Sequence, residues 1–191
     1  MHALKKYLDQ LTPVSSKTWK AVQPLFTEKK LNKSDFFIQH NQQAREIGFL
    51  TDGVIRAYYT SADGTEYNKH FFTAPCFVGG YASLITGQLN QINQQALTSC
   101  SVLVASYTAF QKLFTTCPDL ERAARILAER FFVLKEQREI ELVMLDAEQR
   151  YRIFQRNFPD LTQVISQYHI ASYLGITPTQ LSRIRRKIAG R

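Results

Sequence analysis

The chain has 191 residues, of which 45% are hydrophobic and 12% aromatic, enough apolar material for a packed core and too much for a disordered chain. Its formal net charge of +8 suits an acidic partner. The opening MHALKKYLDQ lacks the apolar stretch of a secretory signal, and Cys76, Cys100 and Cys117 are an odd, scattered set that makes no disulfide scaffold. No apolar run approaches the roughly 20 residues of a membrane helix, so a cytoplasmic protein with no membrane partner is expected.

Residues 1–30 read as short helices. Leu4, Leu8 and Leu11 share one face, and Trp19, Val22, Leu25 and Phe26 share another. Residues 31–107 hold six of the eight glycines, with short β-branched and aromatic runs at 36–38, 47–50, 54–55, 67–72 and 102–104. Asp52-Gly53 and Asp63-Gly64 read as hairpin turns between such runs, because glycine tolerates positive φ. Many short strands at this spacing predict an antiparallel β-roll of the double-stranded β-helix or jelly-roll kind.

Between Asp119 and Phe158 there is neither Gly nor Pro. Leu120, Leu127 and Leu134 recur every seven residues, with Ala124 and Phe131 between them, which is a coiled-coil-like seam. These five are the candidate dimer-helix residues. Ile126, Val133 and Ile140 make a second stripe. A helix apolar on two sides has two partners: its own roll, and either the same helix of a second subunit or another part of the same chain. Asp146 and Gln149 have the spacing of a capping box, so a new segment begins there. The expected class is α+β, with a β-roll at 1–118, a long dimerisation helix at 119–146 and a separate C-terminal domain at 147–191.

The strongest local signal lies in that last segment. Ile170 and Leu174 are spaced i, i+4 and share a buried face, and small Ala171 permits a close helix crossing. Gly175 follows, where a turn needs a left-handed residue. Thr177 is a good N-cap and Pro178 suits the first helical position. Leu181 and Ile184 anchor the second helix. This is a helix-turn-helix pattern. Residues 147–191 also carry eight lysines and arginines against two acids, whereas residues 1–146 carry 16 against 14. A like-charge cluster is by itself an ordinary solvated face; here it coincides with the motif. Thr177, Thr179, Gln180, Ser182, Arg183, Arg185, Arg186 and Lys187 are the candidate DNA-binding residues. Thr179 and Gln180 would reach base edges, Arg183 would fork onto guanine, and Arg185, Arg186 and Lys187 suit phosphates.

Taken in order, these features resemble the CRP/FNR superfamily of transcription regulators over roughly residues 5–188. FLTDGVIRAYY at 49–59 is similar to that family's strand-turn-strand, FVGG at 77–80 to the start of its phosphate-binding cassette, and QYHIASYLGITPTQLSRIR at 167–185 to its recognition unit. The resemblance implies a homodimer on palindromic double-stranded DNA, with RNA polymerase as a candidate partner. It also implies a β-hairpin wing after the recognition helix, which is not expected here because the sequence ends at Arg191.

Members that bind cyclic AMP use a Gly-Glu for the ribose and an Arg-Ser-Ala for the cyclic phosphate. Here Gly80 or Tyr81 stands in place of the Glu, and Asn90-Gln91-Ile92 in place of Arg-Ser-Ala. No charged residue occurs between Phe71 and Gln111. A buried phosphodiester without a cation is costly, so cyclic AMP is not expected to bind in the family manner. Gly79, Gly80, Tyr81, Asn90, Gln91 and Gln94 are left as a candidate pocket for an unidentified neutral effector, unless the amides only solvate a loop. No cofactor and no metal are expected. Three cysteines cannot supply the four ligands of an Fe–S branch, and His2, His40, His70 and His169 have no ligand spacing, which argues against haem sensing and cupin-type catalysis. The alternative to a regulator is a protein-interaction module with only non-specific DNA affinity.

Overall fold

The computed structural model describes residues 1–190, and Arg191, the last cation of the basic cluster, lies outside the described residues. The elements follow the chain as α1 His2–Leu11, α2 Ser16–Val22, β1 Thr27–Leu31, β2 Phe36–Ile38, β3 Glu46–Asp52, β4 Val54–Thr60, β5 Glu66–Thr73, β6 Cys76–Val78, α3 Tyr81–Thr86, β7 Asn93–Ala96, β8 Cys100–Ser106 and α4 Tyr107–Lys112. Helices α5 Pro118–Met144, α6 Ala147–Asn157, α7 Leu161–Val164, α8 Gln167–Leu174 and α9 Pro178–Ala189 complete it. The class is α+β, as expected.

The strands form two four-stranded sheets, in the orders β1-β8-β3-β6 and β2-β7-β4-β5. Every pairing described is antiparallel. Leu31, Leu50, Ile55, Val78, Ala96, Val102 and Val104 come from both sheets and bury one another, so the two inner faces share a core. A second core lies under the N-terminal helices. Leu4 and Leu8 of α1, Val22 of α2, Phe26, Phe49, Phe77, Phe110 and the start of α5 meet there. Tyr7 stands edge-on to Phe49 and Phe77, at 5.2 and 5.7 Å between ring centres.

The two turns differ from one another. Asp63-Gly64 does turn a hairpin, since β4 and β5 are neighbours and Gly64 has φ +83. Asp52-Gly53 does not: β3 and β4 belong to different sheets, so the chain turns a corner there. Gly53 has φ +95, and a Cβ would come within 2.5 Å of the Ser99 carbonyl oxygen. Glycine is thus required by close approach as much as by φ.

The chain divides into two compact units. The first holds Met1–Tyr58 and Phe71–Arg130, and the second holds Tyr59–His70 together with the residues from Phe131 onward. The tip of the β4–β5 hairpin therefore belongs with the C-terminal helices. No helix among the described residues is long and apolar enough to cross a membrane.

Candidate functional site

The α8–turn–α9 segment is built by local rules. Ser166 caps α8 by accepting from the His169 N–H. Gly175 ends it at φ +68, and the Ile176 N–H donates back to Ala171 O at 3.0 Å, which closes the helix in a Schellman arrangement. Helix α9 opens on a reciprocal cap. The Gln180 N–H donates to Thr177 Oγ1 at 3.2 Å, and the Thr177 N–H donates to Gln180 Oε1 at 2.9 Å. Ile170, Ala171, Leu174 and Leu181 are almost fully buried and seat the pair.

The predicted DNA-facing residues divide by position. Thr179, Ser182, Arg183 and Arg186 are exposed along one stripe of α9, at the i, i+3, i+4, i+7 spacing of a single helical face. Thr177 is exposed at the cap and Arg185 is half-buried. Gln180 and Lys187 are exposed on an adjacent face and are already engaged. Gln180 completes the cap, and Lys187 Nζ lies 2.6 Å from Glu148 Oε2 on α6. Glu148 Oε1 also accepts from Arg152 Nη2 at 2.9 Å. Lys187 first and then Arg152 hold the Glu148 carboxyl down at about 2.

Helix α8 is held by long-range partners within the second unit. The Ser172 hydroxyl accepts from the Asn68 N–H at 3.0 Å and donates to Glu66 O at 2.7 Å. Asn68 Nδ2 donates to His169 O at 3.3 Å. At the C-terminal end of α8, Arg138 donates to Tyr173 O with its guanidinium 4.0 Å from the centre of the Tyr173 ring, and Arg150 Nε donates to Leu174 O at 3.1 Å. Two guanidinium groups thus satisfy carbonyls that a helix end leaves open. His70 lies beside Phe158, at 6.2 Å between ring centres, and burial followed by repulsion from Lys69 and Arg138 lowers its pKa to about 4. None of these anchoring residues was singled out as functional in the sequence.

The candidate effector residues are arranged differently. Asn90 and Gln94 are buried. Asn90 Nδ2 donates to Gln39 O at 2.9 Å and to Ile92 O, and its backbone pairs with Asn41 and Gln42, so it ties down the 39–42 segment. Gln94 Nε2 donates to Gly79 O at 2.8 Å, while its Oε1 is buried with no hydrogen-bond partner among the described residues. A Cβ on Gly80 would lie 2.9 Å from Asn90 Oδ1, so the glycine is needed for that packing. Tyr81 is 53% exposed, edge-on to Tyr107, and Gln91 is also exposed. These residues face both inward and outward.

Arg56 on β4 is a buried cation that was not singled out in the sequence. Its Nε and Nη2 donate to Gln95 Oε1 at 3.0 and 2.7 Å, and it stacks 3.7 Å from the centre of the Tyr58 ring. Successive side chains alternate across a strand. Ile55 belongs to the inter-sheet core and Gln94 is on the same face of β7 as buried Ala96, so the Arg56–Gln95 pair lies on the opposite face from Gln94.

The seam assigned to dimerisation is divided along α5. Leu120 is fully buried in the core of its own unit, and Leu127 packs partly against the same core. Ala124 and Phe131 are half-buried, and Leu134 is 52% exposed. Ala123, which the heptad reading passed over, is fully buried. The other stripe is open: Val133 is 48% exposed and Ile140 55%, with Met144 exposed one turn on and Ile126 half-buried. Among the described residues no group of three or more His, Cys, Asp or Glu is placed to hold a metal ion.

Residues 28–117 match the family model of the cyclic nucleotide-binding domain. No curated protein is matched by sequence. Solved structures are matched in fold. FixK2 from Bradyrhizobium japonicum superposes with a TM-score of 0.78 at 17% identity, covering 86% of this chain and 85% of that one. The c-di-GMP responsive global regulator CLP of Xanthomonas campestris gives 0.71 at 17% identity, covering 92% of each chain. The Thermus thermophilus catabolite activator protein gives 0.57 at 15%, covering 96% and 87%. At these identities the likeness is one of fold. Residues 28–117 thus match the cyclic nucleotide-binding domain family, and the chain that carries them has the fold of the CRP/FNR regulators.

Proposed function

We propose that the chain is a homodimeric, sequence-specific DNA-binding transcription regulator whose sensor domain does not take cyclic AMP in the family manner. Residues 1–118 are the sensor roll, 119–146 the dimerisation helix and 147–191 the DNA reader. The observation that carries the reading is α9 itself. A reciprocal cap fixes its first turn, Leu181 seats it, and Thr179, Ser182, Arg183 and Arg186 stand exposed along one stripe. A recognition helix of this kind places its N-terminal residues at base edges in the major groove. Thr179, Gln180 and Ser182 then meet bases, Arg183 forks onto guanine O6 and N7, and Thr177, Arg185, Arg186 and Lys187 meet the backbone.

Dimerisation through α5 uses the open stripe of Ile126, Val133 and Ile140, because Leu120 and Leu127 are taken by their own roll. Two recognition helices then enter successive major grooves about 34 Å apart, so the site is palindromic. The lack of cyclic AMP binding in the family manner follows from charge. Asn90 stands in the place of the arginine that would meet the phosphate, and Arg56 pairs with Gln95 on the opposite face of its sheet from Gln94. Selection of random duplex DNA by the purified protein at physiological salt tests the reading. A recovered palindrome with one-turn spacing supports it. Unselected sequence, both with and without added cell metabolite extract, overturns it in favour of an interaction module. Calorimetric titration with cyclic AMP is expected to give no heat of binding.

A further inference from the structure

The pair between Lys187 and Glu148 points to a built-in restraint on DNA binding. Lys187 sits on the last turn of α9, and an ammonium group there is a compact point charge suited to phosphate. Its Nζ is 2.6 Å from a carboxylate oxygen of Glu148. That carboxylate is held in place. Glu148 occupies the first turn of α6, where the helix dipole favours a negative charge, and Arg152 one turn on anchors its other oxygen at 2.9 Å. Its side chain is only 20% exposed, against 59% for the lysine, so the acid is the fixed member of the pair and the base the mobile one.

We propose that Glu148 is an internal competitor of DNA phosphate for Lys187, lowering affinity for duplex DNA of every sequence. The inference rests on the DNA-binding reading above. The carboxylate presents oxygen to the ammonium where a phosphate would. For Lys187 to neutralise a phosphate, the pair must open, and one fewer counterion is released in net terms per protomer. The carboxylate stays charged at any pH above about 2, so the restraint is not relieved by mild acid. Each counterion released contributes a slope of about 0.9 in the logarithmic salt dependence, which at about 0.15 M salt is roughly a fivefold change in affinity.

The test is a salt titration of binding to random and to selected duplexes by wild type, Glu148→Gln, Lys187→Ala and the double variant. Glu148→Gln should tighten binding to both duplexes roughly fivefold per protomer and steepen the salt slope by about one. In the Lys187→Ala background the same change should have little effect. A fall in affinity with Glu148→Gln would show that the acid positions Lys187 instead of competing for it. An equal gain in both backgrounds would show a general field effect, and an unchanged affinity would show no coupling; any of the three overturns the proposal while leaving the DNA-binding reading intact. A wild type with no duplex affinity even at low salt sinks both.

Discussion

Arg183 and Arg186 stand one turn apart on the same stripe, yet the proposed interface gives them different work. Arg183→Ala is expected to lose about 1–3 kcal/mol of discrimination at one base position, whereas Arg186→Ala should weaken all sequences alike and lower the salt slope. Titrations against cognate and base-substituted duplexes separate the two. Ser172 is the corresponding test of structure. Its hydroxyl stands between the Asn68 N–H and Glu66 O, so Ser172→Ala leaves a backbone donor unpaired and should cost about 1–3 kcal/mol in thermal unfolding. The framework of the α8–turn–α9 segment was legible in the sequence and the anchors were not, for one reason. Ile170, Ala171, Leu174, Gly175, Thr177, Pro178 and Leu181 act on neighbours a few positions away, and spacing reveals them. Asn68 and Ser172 are 104 residues apart, Arg138 and Tyr173 are 35 apart, and nothing in local pattern pairs them.

At the scale of elements, the caps of α8 and α9 make the hinge of the motif testable. Gly175→Ala forces a Cβ into the left-handed region and should cost about 1 kcal/mol, and Thr177→Ala should cost about as much through the lost N-cap. Differential unfolding in urea reads both. Helix α5 shows how far periodicity reaches. The sequence indicated two apolar faces and two partners, but a seven-residue repeat looks the same whether its cover is the same chain or a copy. Burial separates them. The Leu120–Leu127 face covers its own roll, and the Val133–Ile140 face is the open one. Val133→Asp with Ile140→Asp is therefore expected to halve the mass seen by sedimentation without unfolding the chain. The corner at Gly53 is not visible in the sequence for a related reason: Asp-Gly specifies a tight reversal, not which sheet the next strand joins.

At the scale of the whole molecule, acid should act first on the second unit. The pKa of His70 falls from 6.5 to about 4 in the folded protein, so below pH 6.5 the unfolded chain takes up the proton first. Stability is full above that value and declines as pH falls, by about 2 kcal/mol at pH 5 from this group alone. His70→Gln should remove that part of the decline when melting at pH 7 and pH 5 is compared. The division into units also bears on dissection of the molecule. The chain passes from one unit to the other between residues 58 and 59, 70 and 71, and 130 and 131. A single cut within α5 therefore does not yield two self-sufficient pieces: the C-terminal fragment lacks the twelve residues that give Ser172 its partners, and the N-terminal fragment keeps them as a hairpin tip with nothing to grip. Two such fragments are expected to recognise each other when mixed, by fragment complementation, and deletion of the hairpin tip from the first should abolish the rejoining.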